Sequence, residues 1–192
     1  MEFIKTAWQR ISAWYDANTP EGTLVLASGA SEAKLVEFEK EIGFSLPDDL
    51  RASFALHNGT SNGGYLLHHG ELLSLKQVLS LHKTYAQWQV EENWGLGPDY
   101  QTEDISGPIK PTWWSASRVP LTDNNGDAVM ADFDPATEGH VGQVIEFDHE
   151  VGPRRVFSPS FGQWLNDLAE GLENGEYIYY KDERTVAPPG IW

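Results

Sequence analysis

Cysteine is absent from this 192-residue chain. That excludes disulfides, zinc–thiolate sites and thiol catalysis. Small secreted domains often depend on such cross-links, so the absence favours a reducing compartment. Basic residues are scarce too: 13 Lys and Arg stand against 29 Asp and Glu, for a formal net charge of −16. Phosphate contacts need clustered Lys and Arg, so direct nucleic-acid binding is not expected. No apolar run approaches the roughly 18 residues of a membrane span. The opening residues, Met1-Glu2-Phe3-Ile4-Lys5, lack the basic-then-apolar order of a secretory signal. These absences predict a soluble, cytoplasmic protein without membrane contact.

What is present is a folding composition. Hydrophobic residues make up 40%, and 8 Trp, 7 Tyr and 8 Phe supply bulky core material. The length suits one domain spanning residues 1–192. Ile4, Ala7, Trp8, Ile11, Trp14 and Tyr15 recur at helical spacing, so Phe3 to Tyr15 reads as an amphipathic helix. Ser31 can cap a second helix carrying Leu35, Phe38 and Ile42, with Gly43 at its stop. Pro47 opens a third, with Asp48 and Asp49 at its positive end. Tyr65-Leu66-Leu67 and Glu71-Leu72-Leu73-Ser74 read as short extended pieces. A helix from Leu75 to about Trp88 follows, then a loop over 93–111. Beyond Trp113 the pattern turns to short strands around Val119, Ala128 to Phe133, Gln143 to Asp148 and Arg154 to Phe157. Short turns join them, so antiparallel pairing is expected. Ser160 to Glu173 is a last helix, Tyr177 to Tyr180 a further strand candidate, and 181–192 a tail with a frayed Ala187-Pro188-Pro189-Gly190 end.

The order of these pieces resembles the SUKH superfamily, whose founding members are the fungal Smi/Knr cell-wall assembly regulators. The likeness rests on four passages. They are Leu46-Pro47-Asp48-Asp49-Leu50 with Phe54-Ala55-Leu56-His57-Asn58-Gly59; Glu71-Leu72-Leu73-Ser74-Leu75; Val119 through Asp127 running into Met130-Ala131-Asp132-Phe133; and Gly142 through Glu150 with Phe161-Gly162-Gln163-Trp164-Leu165. They cover residues 24–175. Residues 1–20 stand outside as an N-terminal helical addition. The resemblance implies an α+β fold with one central mixed, largely antiparallel sheet flanked by helices, and no enzymatic activity. It also implies a protein partner without fixing which: bacterial relatives are commonly immunity proteins that neutralise toxins, and fungal relatives act as regulatory scaffolds.

Between Val119 and Glu150 the chain carries Asp123, Asp127, Asp132, Asp134, Glu138, Glu146, Asp148 and Glu150 and no Lys or Arg. This segment is the expected docking face, and the leading reading is a bacterial immunity protein that uses it to neutralise a basic toxin domain such as a nuclease. Asp123, Asn124, Asp127, Asp132, Asp134 and Glu138 would meet the partner, the five carboxylates among them supplying the charge, with Trp113 and Trp114 as aromatic anchors. An intracellular regulatory scaffold is the alternative, and a metal-assisted hydrolase a third. The calcium reading of Asp123, Asn125, Asp127, Asp132 and Asp134 fails on spacing. Gly126 is fourth from Asp123, where an EF-hand needs Gly at six and Glu at twelve. A structural turn is the simpler reading, because Asn and Gly favour positive φ. The six histidines form no His-Glu-x-x-His motif, and no Gly-x-Ser-x-Gly elbow partners Asp148-His149. No catalytic residue, metal or cofactor is expected.

Overall fold

The computed structural model describes residues 1–91 and 105–191. The expected α+β architecture is present. Helix α1 (Glu2–Asn18) buries Ile4, Ala7, Trp8, Ile11 and Tyr15. Helix α2 (Glu32–Ile42) starts where the Ser31 side chain accepts from the Lys34 amide and stops at left-handed Gly43. Helix α3 (Asp48–Leu56) follows Pro47. A single 3-10 turn (Leu67–His69) leads into β1 (Glu71–Leu72) and α4 (Leu75–Glu91). Strands β2 (Arg118–Pro120), β3 (Thr122–Asp123), β4 (Ala128–Asp132), β5 (Gln143–Asp148) and β6 (Gly152–Ser158) come next. Helix α5 (Phe161–Glu173) and a closing pair, β7 (Ile178–Tyr180) and β8 (Thr185–Ala187), complete the order.

The central sheet runs β2-β4-β5-β6, and β1 with β3 and β7 with β8 form separate two-stranded sheets. Every named pair is antiparallel. The expected parallel component shrinks, among the described residues, to an isolated Ser106–Arg155 bridge. Strand alternation divides the sheet between two cores. Val119, Val129, Ala131 and Val144 face one that α1, α2, α3 and α5 fill. Ala128, Met130, Ile145 and Phe147 face a second, closed by Tyr85 of α4 with Ile109, Trp113 and Trp114. Both faces are covered, so β4 is buried along its whole length.

Two expectations change, and one is filled in. Tyr65-Leu66-Leu67 is not a strand. Tyr65 makes one bridge to Glu71, and Leu67 takes a φ of 58° as the 3-10 turn begins. Residues 1–20, read from the sequence as a helical addition, form α1 and pack into the fold. Trp8 is 1% exposed, donates from its indole to Ser53 Oγ at 2.9 Å, and lies in the main core. The tail does not fray at Ala187, which pairs with Ile178 and is fully buried. The loop expected over 93–111 lies largely outside the described residues.

Candidate functional site

The Asn-Gly hairpin forms as its chemistry dictates. Asn125 (φ 57°) and Gly126 (φ 100°) occupy the two left-handed positions between Asn124 and Asp127, whose backbones bond reciprocally. Asn and Gly tolerate those angles best. The turn is then buttressed from several directions. Asp123 Oδ1 accepts from the Gly126 amide at 2.9 Å, and Asp127 Oδ1 accepts from the His149 amide at 3.0 Å. The His149 ring Nδ1 lies 2.8 Å from that same oxygen. From beneath, the Tyr85 hydroxyl donates to the Gly126 carbonyl at 2.7 Å, and the Trp113 indole donates to the His149 carbonyl at 3.0 Å. Gly70 (φ 103°) lets the 3-10 turn lie alongside, because a β-carbon there would collide with the Asp123 carbonyl.

The eight residues expected to form one face separate into three groups. Asp123, Asn124 and Asp127 sit together on the hairpin and are partly exposed. Asp148 and His149 join them from the β5–β6 turn: the nearest ligand atoms of Asp127, Asp148 and His149 lie within 4.8 Å of one another. Asp134 and Glu138 lie beyond the far end of β4. Five residues at about 3.3 Å each place them roughly 15 Å away. Asp134 there pairs with Lys110, which stands outside the Lys- and Arg-free segment. The third group is buried. Asp132, Trp113 and Trp114 are 0%, 0% and 3% exposed, so none of them can meet a partner.

Asp132 is a correction with a clear cause. Its carboxylate faces the guanidinium of Arg118, itself fully buried, with Nε 3.8 Å from Asp132 Oδ1. Gln143 Nε2 donates to Asp132 Oδ2 at 3.2 Å, and the Asp134 amide donates to Oδ1 at 3.2 Å. Arg118 also donates to the carbonyls of Thr112 (2.6 Å) and Lys110 (2.7 Å). Burial holds the Asp132 carboxyl above the ordinary carboxylate range, and Arg118 offsets part of that rise. The group clamps the 110–118 segment onto the sheet. Trp113 and Trp114 line the second core instead of anchoring a partner.

Sequence reasoning missed the cavity beside the turn. A half-open cleft of about 300 Å³ is bordered by His68, His69, Asn124, Asp127, Glu146, Asp148 and Arg154, among others. His69 stacks against His68, Phe157 and Trp164. Burial chiefly, then the His68 and Arg155 charges, lowers its pKa to about 3. The negative field of the turn is felt by Tyr85, whose pKa is raised by burial first and then by Asp123 and Asp127. The adjacent pair His68-His69 was the only local signal, and nothing in the sequence brings it to Asp148.

No described helix is long and apolar enough to cross a membrane. Among known proteins, the SMI1 / KNR4 family (SUKH-1) model matches residues 29–167. The "Cell wall biosynthesis/cell cycle regulator smi1" of Schizosaccharomyces pombe is 26% identical over 95% of this chain and 39% of its own length. The "Cell wall assembly regulator SMI1" of Saccharomyces cerevisiae is 22% identical over 92% of this chain and 42% of its own. "F-box only protein 3" of Mus musculus is 41% identical over a shorter stretch, 29% of this chain and 12% of its own. The chain thus spans about two fifths of the length of these two fungal relatives, both of which are named as regulators. With the four sequence passages in order, the α+β fold in place and the family match across both cores, the chain belongs to the SMI1/KNR4 family (SUKH-1).

Proposed function

We propose that this chain is a non-enzymatic, regulatory protein-binding domain that docks a basic segment of its partner through the acidic turn at Asp123, Asn124 and Asp127. One observation carries the reading. The turn presents carboxylates on a scaffold made rigid by Tyr85 and Trp113 below and His149 beside it. A surface held in place loses little freedom on binding, so more of the contact energy reaches affinity. Charge of one sign also speeds encounter with an oppositely charged partner. The net charge of −16 acts in the same direction.

The regulatory scaffold is preferred to toxin neutralisation because the relatives named above are cell-wall and cell-cycle regulators. The reading places the domain in the cytoplasm. Asp134 and Glu138, at the other end of β4, would belong to a separate contact.

Site-directed photocrosslinking in the source organism tests this. A photoreactive residue at exposed Glu150, beside the turn, should give a discrete adduct whose crosslinked segment is rich in Lys and Arg. The same residue at exposed Glu37 on α2 should not. Adducts from Glu37 alone would defeat the proposal.

A further inference from the structure

Asparagine followed by glycine is the pair most prone to lose its side-chain amide, because glycine leaves the next backbone nitrogen uncrowded. The chain has four such pairs: Asn58-Gly59, Asn62-Gly63, Asn125-Gly126 and Asn174-Gly175. The susceptible dipeptide is the same in each, so only the fold can rank them. The reaction needs two freedoms. The Asn carboxamide carbon must swing onto the nitrogen of the following residue, and that nitrogen must shed its proton.

Three of the four are held. Asn58 Oδ1 accepts from the Leu75 amide at 2.9 Å, and Gly59 is buried against the backbone of Leu73 and Ser74. Asn62 is tied at both ends of its carboxamide: Oδ1 accepts from the Gly64 and Val25 amides at 3.1 and 3.3 Å, and Nδ2 donates to the Gly22 carbonyl at 2.6 Å. Asn125 is exposed, but its nucleophile is guarded. The Gly126 amide donates to Asp123 Oδ1 at 2.9 Å, and a carboxylate there opposes the negative charge that deprotonation would create. Tyr85 pins the Gly126 carbonyl at 2.7 Å. Asn174 differs on each count. It caps the end of α5, is exposed together with Gly175, and its side chain makes no hydrogen bond to a described residue. The Gly175 amide reaches the Leu172 carbonyl at a long 3.3 Å, and a β-carbon on Gly175 would meet nothing within 4 Å. Helix ends fray, so opening costs least there.

We infer that Asn174 is a deamidation site, the one of these four that converts in the folded chain. The Gly175 nitrogen loses its proton to solvent hydroxide and attacks Asn174 Cγ. The new N–Cγ bond closes a succinimide as the Cγ–Nδ2 bond breaks, and Nδ2 leaves as ammonia with a proton from water. Water then opens the ring, giving aspartate or isoaspartate at position 174. The product adds a carboxylate at the negative end of the α5 dipole, close in sequence to Glu170 and Glu173. Glu173 is the partner of Arg10, which ties α1 to α5. The isoaspartate form also inserts an extra atom into the main chain, so the Gly175 and Glu176 amides lose their places on Leu172 and Gly171. The modification loosens the end of α5 while the acidic hairpin keeps its Asn125.

Whole wild-type chain is aged in mildly alkaline buffer, folded in one sample and denatured by urea in another. Peptides carrying each Asn-Gly pair are followed by mass spectrometry, with electron-transfer fragmentation separating aspartate from isoaspartate. In urea the four pairs should convert at similar rates. In the folded chain Asn174 should convert at least about tenfold faster than Asn58, Asn62 or Asn125, because it alone reacts without releasing a held group. The aged folded protein should also gain a more acidic species on anion exchange. Asn174→Gln, at an exposed position without hydrogen bonds, should fold normally and remove that species. Faster conversion at any of the other three pairs in the folded chain, an intact Asn174 there while the denatured chain converts, or an acidic species that persists in Asn174→Gln would each overturn the assignment.

Discussion

Replacing Asp132 by Ala separates a structural carboxylate from a docking one. Asp132 and Arg118 are both fully buried, 3.8 Å apart. Removing the carboxylate leaves a guanidinium in the interior without its counter-charge, which typically costs about 3–5 kcal/mol. The amides of Asp134 and Gln143 lose an acceptor as well. For a domain of this size, 1 kcal/mol corresponds to roughly 2–4 °C in Tm, so the drop should be about 6–20 °C. Asp132→Ala combined with Arg118→Met should recover only part of it, because Arg118 also serves the carbonyls of Lys110 and Thr112. Thermal and urea denaturation followed by Trp fluorescence would measure the loss. The pH dependence adds a signature. The Asp132 pKa is raised on folding, chiefly by burial. Its contribution is therefore full below the ordinary carboxylate range and disappears as pH rises through the raised value. Asp132→Asn should remove that slope. A Tm change below about 2 °C combined with loss of partner binding would refute the reasoning and return Asp132 to the surface.

Further outcomes follow from other parts of the fold. Ile11→Ala in α1, at a fully buried position, should cost about 2–5 kcal/mol, and deleting residues 1–20 should unfold the domain; circular dichroism and urea melts check both. The His69 pKa is depressed on folding to about 3, so its stabilising contribution is complete above pH 6.5 and declines as pH falls toward 3. His69→Phe should flatten that acid limb, by at most about 5 kcal/mol, in pH-dependent denaturation. Gly126→Ala places a side chain at a φ of 100° against the His149 ring and should cost about 1–2 kcal/mol while disordering the turn, visible as loss of the slow amide exchange of Asp127 and His149.

Local signals were legible wherever they were sufficient. The periodic apolar residues of α1 and α5, the Ser31 and Ser160 caps and the Asn125-Gly126 turn all act within one helical turn or hairpin. What stayed hidden was set across distance. Alternation in β4 puts Asp132 opposite Val129 and Ala131, which looks like a solvent face until the second core covers it. Its neutralising Arg118 arrives through the β2–β4 register, Arg118 against Asp132. Trp113 and Trp114 are adjacent and could have faced opposite ways in an extended chain. The segment is instead folded so that both rings meet Phe147. The role of residues 1–20 depends on a groove made by Ser53 of α3 and the face of α5. The cavity joins His68-His69 to Asp148 across the fold, with no marker in either stretch.

The central claim concerns where the partner lands. Once crosslinking has supplied a partner, stopped-flow association with Asp123→Asn/Glu150→Lys measures it most directly. The account predicts slower association by about tenfold and a flatter salt dependence, with a folded, unshifted melting curve. Association as fast and as salt-sensitive as wild type would contradict it.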